Sequence, residues 1–139
     1  MDFKRWLMAT AGAFGVIVAA DFVIHNVWLG EFYRMHAQWW RAPQDMTAHI
    51  GFLVGGQIAL AGLLSLVYAR GYEAGKGTVA QGFRFGVLIA LLLALPKSLM
   101  LYSIYPYPAA LILNWFLGGL VEITLTGLMI GYLYKPAKS

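Results

Sequence analysis

Apolar residues fill this chain in long blocks separated by short polar segments. Four blocks stand out, at about 6–29, 47–68, 85–105 and 109–134. Each approaches or exceeds the roughly 20 residues that carry a helix across a hydrocarbon layer of about 30 Å. Spanning strands would be about ten residues long and strictly alternating, which these blocks are not. The pattern predicts an all-α fold: one membrane domain over 1–139, built as a transmembrane four-helix bundle. The first block follows Lys4 and Arg5 much as a secretory signal would. It is as long as a full span, however, and no clear small-residue cleavage site precedes the polar segment, so it is expected to remain as the first helix.

The connections carry their own signals. Between the first two blocks, Trp28, Phe32, Met35 and Trp39 recur at helical spacing. This predicts a short interfacial helix or an extension of the first span, with Trp28, Phe32, Trp39 and Trp40 anchored among lipid headgroups. Pro43 should end that helix, and Asp45 is placed to cap the second span. The turn Tyr105-Pro106-Tyr107-Pro108 is short enough to make the third and fourth spans antiparallel neighbours. The loop from Arg70 to Gln81 holds Gly71, Gly75 and Gly77 and is expected to be mobile. Residues 14–20 are similar to residues 85–91, and residues 57–64 to residues 122–129, which suggests two tandem two-helix repeats.

Composition agrees with the membrane class. Of 139 residues, 60% are hydrophobic and 12% charged, against about 25% charged in a typical soluble domain. The ten Lys and Arg residues form no stripe, so nucleic acid is not an expected partner. Their distribution sets an orientation instead. Lys4, Arg5, Arg70, Lys76, Arg84, Lys135 and Lys138 fall on one side, and Arg34 and Arg41 on the other. The positive-inside rule then places both termini in the cytoplasm. There are no cysteines, which removes disulfides, thiolate metal sites and cysteine nucleophiles.

Candidate chemistry lies in the polar residues within spans, which are costly in lipid and are functional candidates by default. Asp21, His25 and Asn26 belong to the first span, Gln57 to the second, Lys97 to the third, and Asn114 and Glu122 to the fourth. A rise of about 1.5 Å per residue puts Asp21, Lys97 and Glu122 in one layer, roughly 18–22 Å from the inner ends of their helices. A lysine flanked by two carboxylates satisfies a dry interior, and Gln57 is placed to close the network. The expectation is that Lys97 pairs with Asp21 and leaves Glu122 to titrate. His25, His49 and Asn114 lie further out and outline a polar funnel opening outward. Pro96, directly before Lys97, frees the carbonyl of Leu92 and marks a kink or hinge. A purely structural role for the charged layer, fixing helix register, is the competing account.

No cofactor is expected. Asp21, His25 and His49 are the weak candidates for a metal site, and histidines of the first two helices for haem. No nucleophile–base pair, phosphate loop or HExxH-type motif points to an enzyme. Gly51 and Gly55, Gly82 and Gly86, and Gly127 and Gly131 form small-xxx-small pairs, suited to packing within the bundle or to a homo-oligomer or larger membrane complex.

The stretch DFVIHNVWLGEFYRMHAQWWR, the later GYEAGKGTVAQGFRFG and the proline-bearing third span resemble small four-span bacterial membrane proteins of unknown function. The likeness covers most of the chain. It implies a four-span fold and a bacterial inner membrane, and it carries no activity and no catalytic residue. Three functions remain in contention: binding or transport of a small polar solute or proton at the charged layer, an accessory subunit of a larger membrane complex, and a metal- or haem-binding redox protein.

Overall fold

Asp2 begins the first helix by accepting a hydrogen bond from the Arg5 backbone N–H at 3.2 Å, which satisfies one of the free donors of the first turn. The computed structural model describes residues 2–135; Lys138, counted above for orientation, lies outside them. Helix α1 spans Phe3–Phe22 and passes without interruption into a π-helical turn at Val23–Trp28. There the Leu29 N–H bonds back five residues, to the Ile24 carbonyl at 2.9 Å. The first span thus runs from Phe3 to Trp28.

The connection at the end of the bundle away from the N-terminus, called the outer end, folds into α2 (Gly30–Met35), a short 3-10 turn (Ala37–Trp39) and α3 (Pro43–Ala48). Pro43 both follows the break and opens α3, where its missing N–H costs nothing. Asp45 is not the cap of the second span. It sits inside α3, ion-paired with Arg41 at 2.7 Å, and the span α4 begins at Ile50 and ends at Arg70. Helices α5 (Thr78–Ile104) and α6 (Ala109–Leu133) complete the bundle, and α5 continues through Pro96. Among the described residues the fold is all-α, with four helices long and apolar enough to cross a membrane.

Two pairs of helices do most of the packing within each half, α1 on α4 and α5 on α6, and α1 also packs along α6. Helices α1 and α6 are therefore central, and α4 and α5 flank them. The α5–α6 seam is bare backbone on both sides: a Cβ at Gly86 would lie 2.8 Å from the Thr124 carbonyl, and Gly82 faces Gly127 and Gly131. Glycine is needed there for close approach. By contrast, Gly15, Gly51 and Gly55 meet nothing. Ala9, Ala13 and Ile17 bury the inner face of α1, and Trp6 ties it to α4 by donating its indole N–H to the Gly62 carbonyl at 3.1 Å. Large apolar side chains such as Phe52, Leu88 and Ile104 point outward, a surface suited to lipid rather than water.

The loop between α4 and α5 is not loose, despite its glycines. The buried Gln81 side chain accepts from the Glu73 backbone N–H at 3.0 Å and donates to the carbonyls of Glu73 and Lys76 at 2.9 and 3.1 Å. One amide thus fixes the turn from inside. A hydrogen bond from Lys76 holds the Glu73 carboxyl below its ordinary value.

Candidate functional site

The two flanking helices meet only at the inner end. There the Tyr68 ring of α4 packs edge-on against Phe85 of α5, with centroids 5.3 Å apart, and its hydroxyl donates to the Thr78 carbonyl at 3.0 Å. Farther out α4 and α5 separate, and between them lies a cavity of about 730 Å³. Helices α1 and α6 form its back wall. Its volume is that of a small-molecule site.

Five of the sequence-derived residues line this cavity: Asp21, His25, Gln57, Lys97 and Glu122, one or two from each of the four spans. Asn26 and Asn114 do not; Asn26 is exposed and Asn114 half-buried elsewhere on α6. His49 is far from the layer in function: its Nδ1 lies 2.7 Å from the Asp45 carbonyl and 3.1 Å from that residue's carboxylate. Among the described residues no three His, Asp or Glu side chains come together as metal ligands, so Asp21, His25 and His49 do not assemble the site considered for them.

Asp21 is the hub of the polar cluster. Gln57 donates to its Oδ2 at 2.6 Å from α4, and His25 Nε2 stands 3.6 Å from its Oδ1 one turn along α1. Its carboxyl shares the cavity with that of Glu122, near enough for each to feel the other's charge. An ionised carboxylate only accepts, so a hydrogen bond between these two groups needs one proton between them.

Lys97 departs from expectation. It is exposed at the lip of the cavity and makes no ion pair among the described residues. The expected Lys97–Asp21 bridge is not formed, because Asp21 is turned toward Gln57, His25 and Glu122. The three charges share the cavity without the lysine closing on either carboxylate.

Outward of Asp21 the cluster continues through residues that sequence reasoning did not select. The Tyr33 hydroxyl lies 2.7 Å from His25 Nδ1 and 2.7 Å from Trp115 Nε1. The indole N–H can only donate, so the phenol accepts from Trp115 and is free to donate to His25. That leaves Nδ1 as acceptor and puts the imidazole proton on Nε2, toward Asp21. Burial pushes the Tyr33 phenol above its ordinary value. The line Trp115–Tyr33–His25–Asp21–Glu122 thus joins the outer loop to the carboxyl pair.

The outer loop reaches the site because it folds over the bundle. Trp40 packs on Tyr33, Tyr107 and Trp115, and Trp39 on Phe32 and Tyr107. Trp39 and Trp40 are therefore engaged with the mouth of the bundle, whereas Trp28 stays exposed. The π-helical turn carries His25, and such turns concentrate at functional sites. Tyr33 and Trp115 are 82 residues apart in sequence, and no local pattern announces their contact.

Set beside known proteins, the chain finds no match among family models, curated proteins or solved structures. Its class is that of an all-α protein with four apolar helices of membrane-crossing length.

Proposed function

We propose that this is a small protein of a bacterial inner membrane, with both termini cytoplasmic, whose α4–α5 cleft binds a small polar solute together with a proton. The observation that carries this reading is the Asp21–Glu122 carboxyl pair, set at membrane depth in a cavity of about 730 Å³. Two carboxyls in one poorly hydrated site hold or release a proton according to what else is present. A solute bound there changes the proton content of the pair.

Orientation rests on Lys4, Arg5, Arg70, Lys76, Arg84 and Lys135 at one end of the bundle, against Arg34 and Arg41 at the other. A reporter enzyme fused after Ser139 is expected to be active in the cytoplasm; activity on the outer side would reverse the assignment.

The site is tested with a lipophilic carbodiimide, which adds to protonated carboxyls in apolar surroundings. Labelling of Asp21 or Glu122, located by mass spectrometry of protein in lipid nanodiscs, should fall as pH rises from mildly acid to mildly alkaline. No labelling of either residue at any pH in that range would remove the proton from the proposal.

A second reading, an accessory subunit in a larger complex, draws support from the unoccupied Gly15, Gly51 and Gly55. Cysteine cross-linking from Gly51→Cys in native membranes would capture such a partner, and an uncross-linked monomer would count against it.

A further inference from the structure

The charges of the cleft are arranged in depth. Asp21 and Glu122 both line the back, on the two central helices, while Lys97 stands exposed at the lip on α5, next to Ser98. The lysine is unpaired, yet its field reaches both His25 and Glu122. Opposite charges held apart in a poorly polarisable site are matched best by a ligand that carries its own two opposite charges in reverse order. A simple cation would be opposed by Lys97, and a simple anion by the carboxyls.

The walls say where such a ligand comes from. Phe52, Leu53, Leu93 and Leu101 line the cleft, and the first three are substantially exposed because α4 and α5 part from Tyr68–Phe85 outward. This opening faces sideways, toward the hydrocarbon. Lys97 is seven residues from Ile104, the last residue of α5, so it lies about 10 Å below the outer end of the helix. A lysine stem reaches upward from such a depth toward headgroups.

We propose that the cleft takes the head of an aminophospholipid, a primary ammonium joined to a phosphate by a short linker, as in phosphatidylethanolamine. The ammonium sits between the Asp21 and Glu122 carboxyls, the phosphate meets Lys97 and Ser98, and the acyl chains leave between α4 and α5. This rests on the same cleft being the binding site. A primary ammonium has three N–H donors for two carboxylates. A trimethylated ammonium has none. Seating the ammonium displaces a proton from the carboxyl pair, and that proton leaves to water at the open side of the cleft. Binding should therefore strengthen as pH rises. The groups that face the carboxyls and take part in this balance are His25 of α1, Lys97 of α5, Tyr33 of α2 and the neutral Gln57 of α4.

The test purifies the full chain from nanodiscs containing equal parts phosphatidylethanolamine, phosphatidylcholine and phosphatidylglycerol and counts retained lipid by native mass spectrometry. Phosphatidylethanolamine should be enriched several-fold over both others, and more so at alkaline than at acid pH. Lys97→Met and Glu122→Gln should each return retention to the bulk ratio, and Lys76→Met should leave it unchanged. Lys97 is exposed, so Lys97→Met keeps the test valid if Glu122→Gln misfolds. Equal retention of phosphatidylcholine would overturn the ammonium contact, and preference for phosphatidylglycerol would reduce the site to Lys97 reading an anion. Displacement of lipid by equimolar free phosphoethanolamine would overturn the lipid as the source. If retention fails while carbodiimide still labels the carboxyls, the ligand class is wrong and the proton-linked site stands; loss of both removes the site.

Discussion

Tyr33 and Trp115 meet across the outer mouth of the bundle, phenol oxygen to indole nitrogen at 2.7 Å, and the same oxygen lies 2.7 Å from His25. One hydroxyl therefore fastens the outer loop to the first and last spans. Tyr33→Phe keeps the ring and removes the oxygen, leaving the partly buried Trp115 N–H unsatisfied and the exposed His25 without this partner. The expected loss is roughly 1–3 kcal/mol. Thermal unfolding in detergent measures it, and a red-shifted tryptophan emission should accompany it as Trp115 and Trp40 gain water. An unchanged melting temperature and spectrum would show that the loop is held by aromatic packing alone.

The same phenol gives a pH prediction. Its folded value lies above the ordinary 10.0, because burial disfavours the phenolate. A raised value means that the latch is fully present below about pH 10 and is lost as pH climbs through the folded value. Alkaline difference absorbance, wild type against Tyr33→Phe, should show one tyrosine titrating later than the exposed ones.

Glycines offer a contrast within one molecule. Gly86→Val would drive a side chain into the Thr124 backbone of α6, which cannot step aside. Destabilisation of about 1–3 kcal/mol or more is expected. Gly55→Ala meets nothing, and should be neutral or stabilising by up to about 1 kcal/mol through helix propensity. Both are read from melting temperatures in one detergent; a costly Gly55→Ala would show that this face is covered.

Lys97→Met should barely alter stability, by less than about 1 kcal/mol, since an exposed cation without a partner gives up little. A loss of several kcal/mol, rescued by Asp21→Asn, would instead restore the buried ion pair that the sequence suggested.

Gln81→Ala removes three hydrogen bonds that shape the inner loop. Roughly 1–3 kcal/mol should be lost, with faster proteolytic cleavage near Lys76. Cleavage at the wild-type rate would mean that the loop is fixed by other contacts.

The spans were legible because their signal is local and repeated: some twenty apolar residues in succession fix each helix regardless of its neighbours. The residues at the charged layer were legible for a similar reason, since depth follows from counting along a helix. Pairing was not. Whether Asp21 turns to Lys97 or to Gln57 depends on helix rotation, and rotation is set by contacts such as Gly86 on Thr124 that lie far apart in the chain. The loop glycines misled in the same way. Gly71, Gly75 and Gly77 describe the freedom of a backbone, and Gln81 takes that freedom away from outside the loop. Tyr33 was not selected at all, because its partner, Trp115, belongs to the last span.

The π-helical turn at Val23–Trp28 holds one residue more than an ordinary turn of α1 would need. Deleting one residue there would let the backbone close as a regular helix without shortening the span below membrane length. A π-turn takes up its extra residue by winding more slowly than the roughly 100° per residue of an α-helix, so the deletion would leave Leu29 and the outer loop in register with α1 and move only the side chains of the turn itself. The surplus residue thus aims the turn and not the roof: with it an imidazole stands beneath the Tyr33 hydroxyl, and without it another face of the helix would.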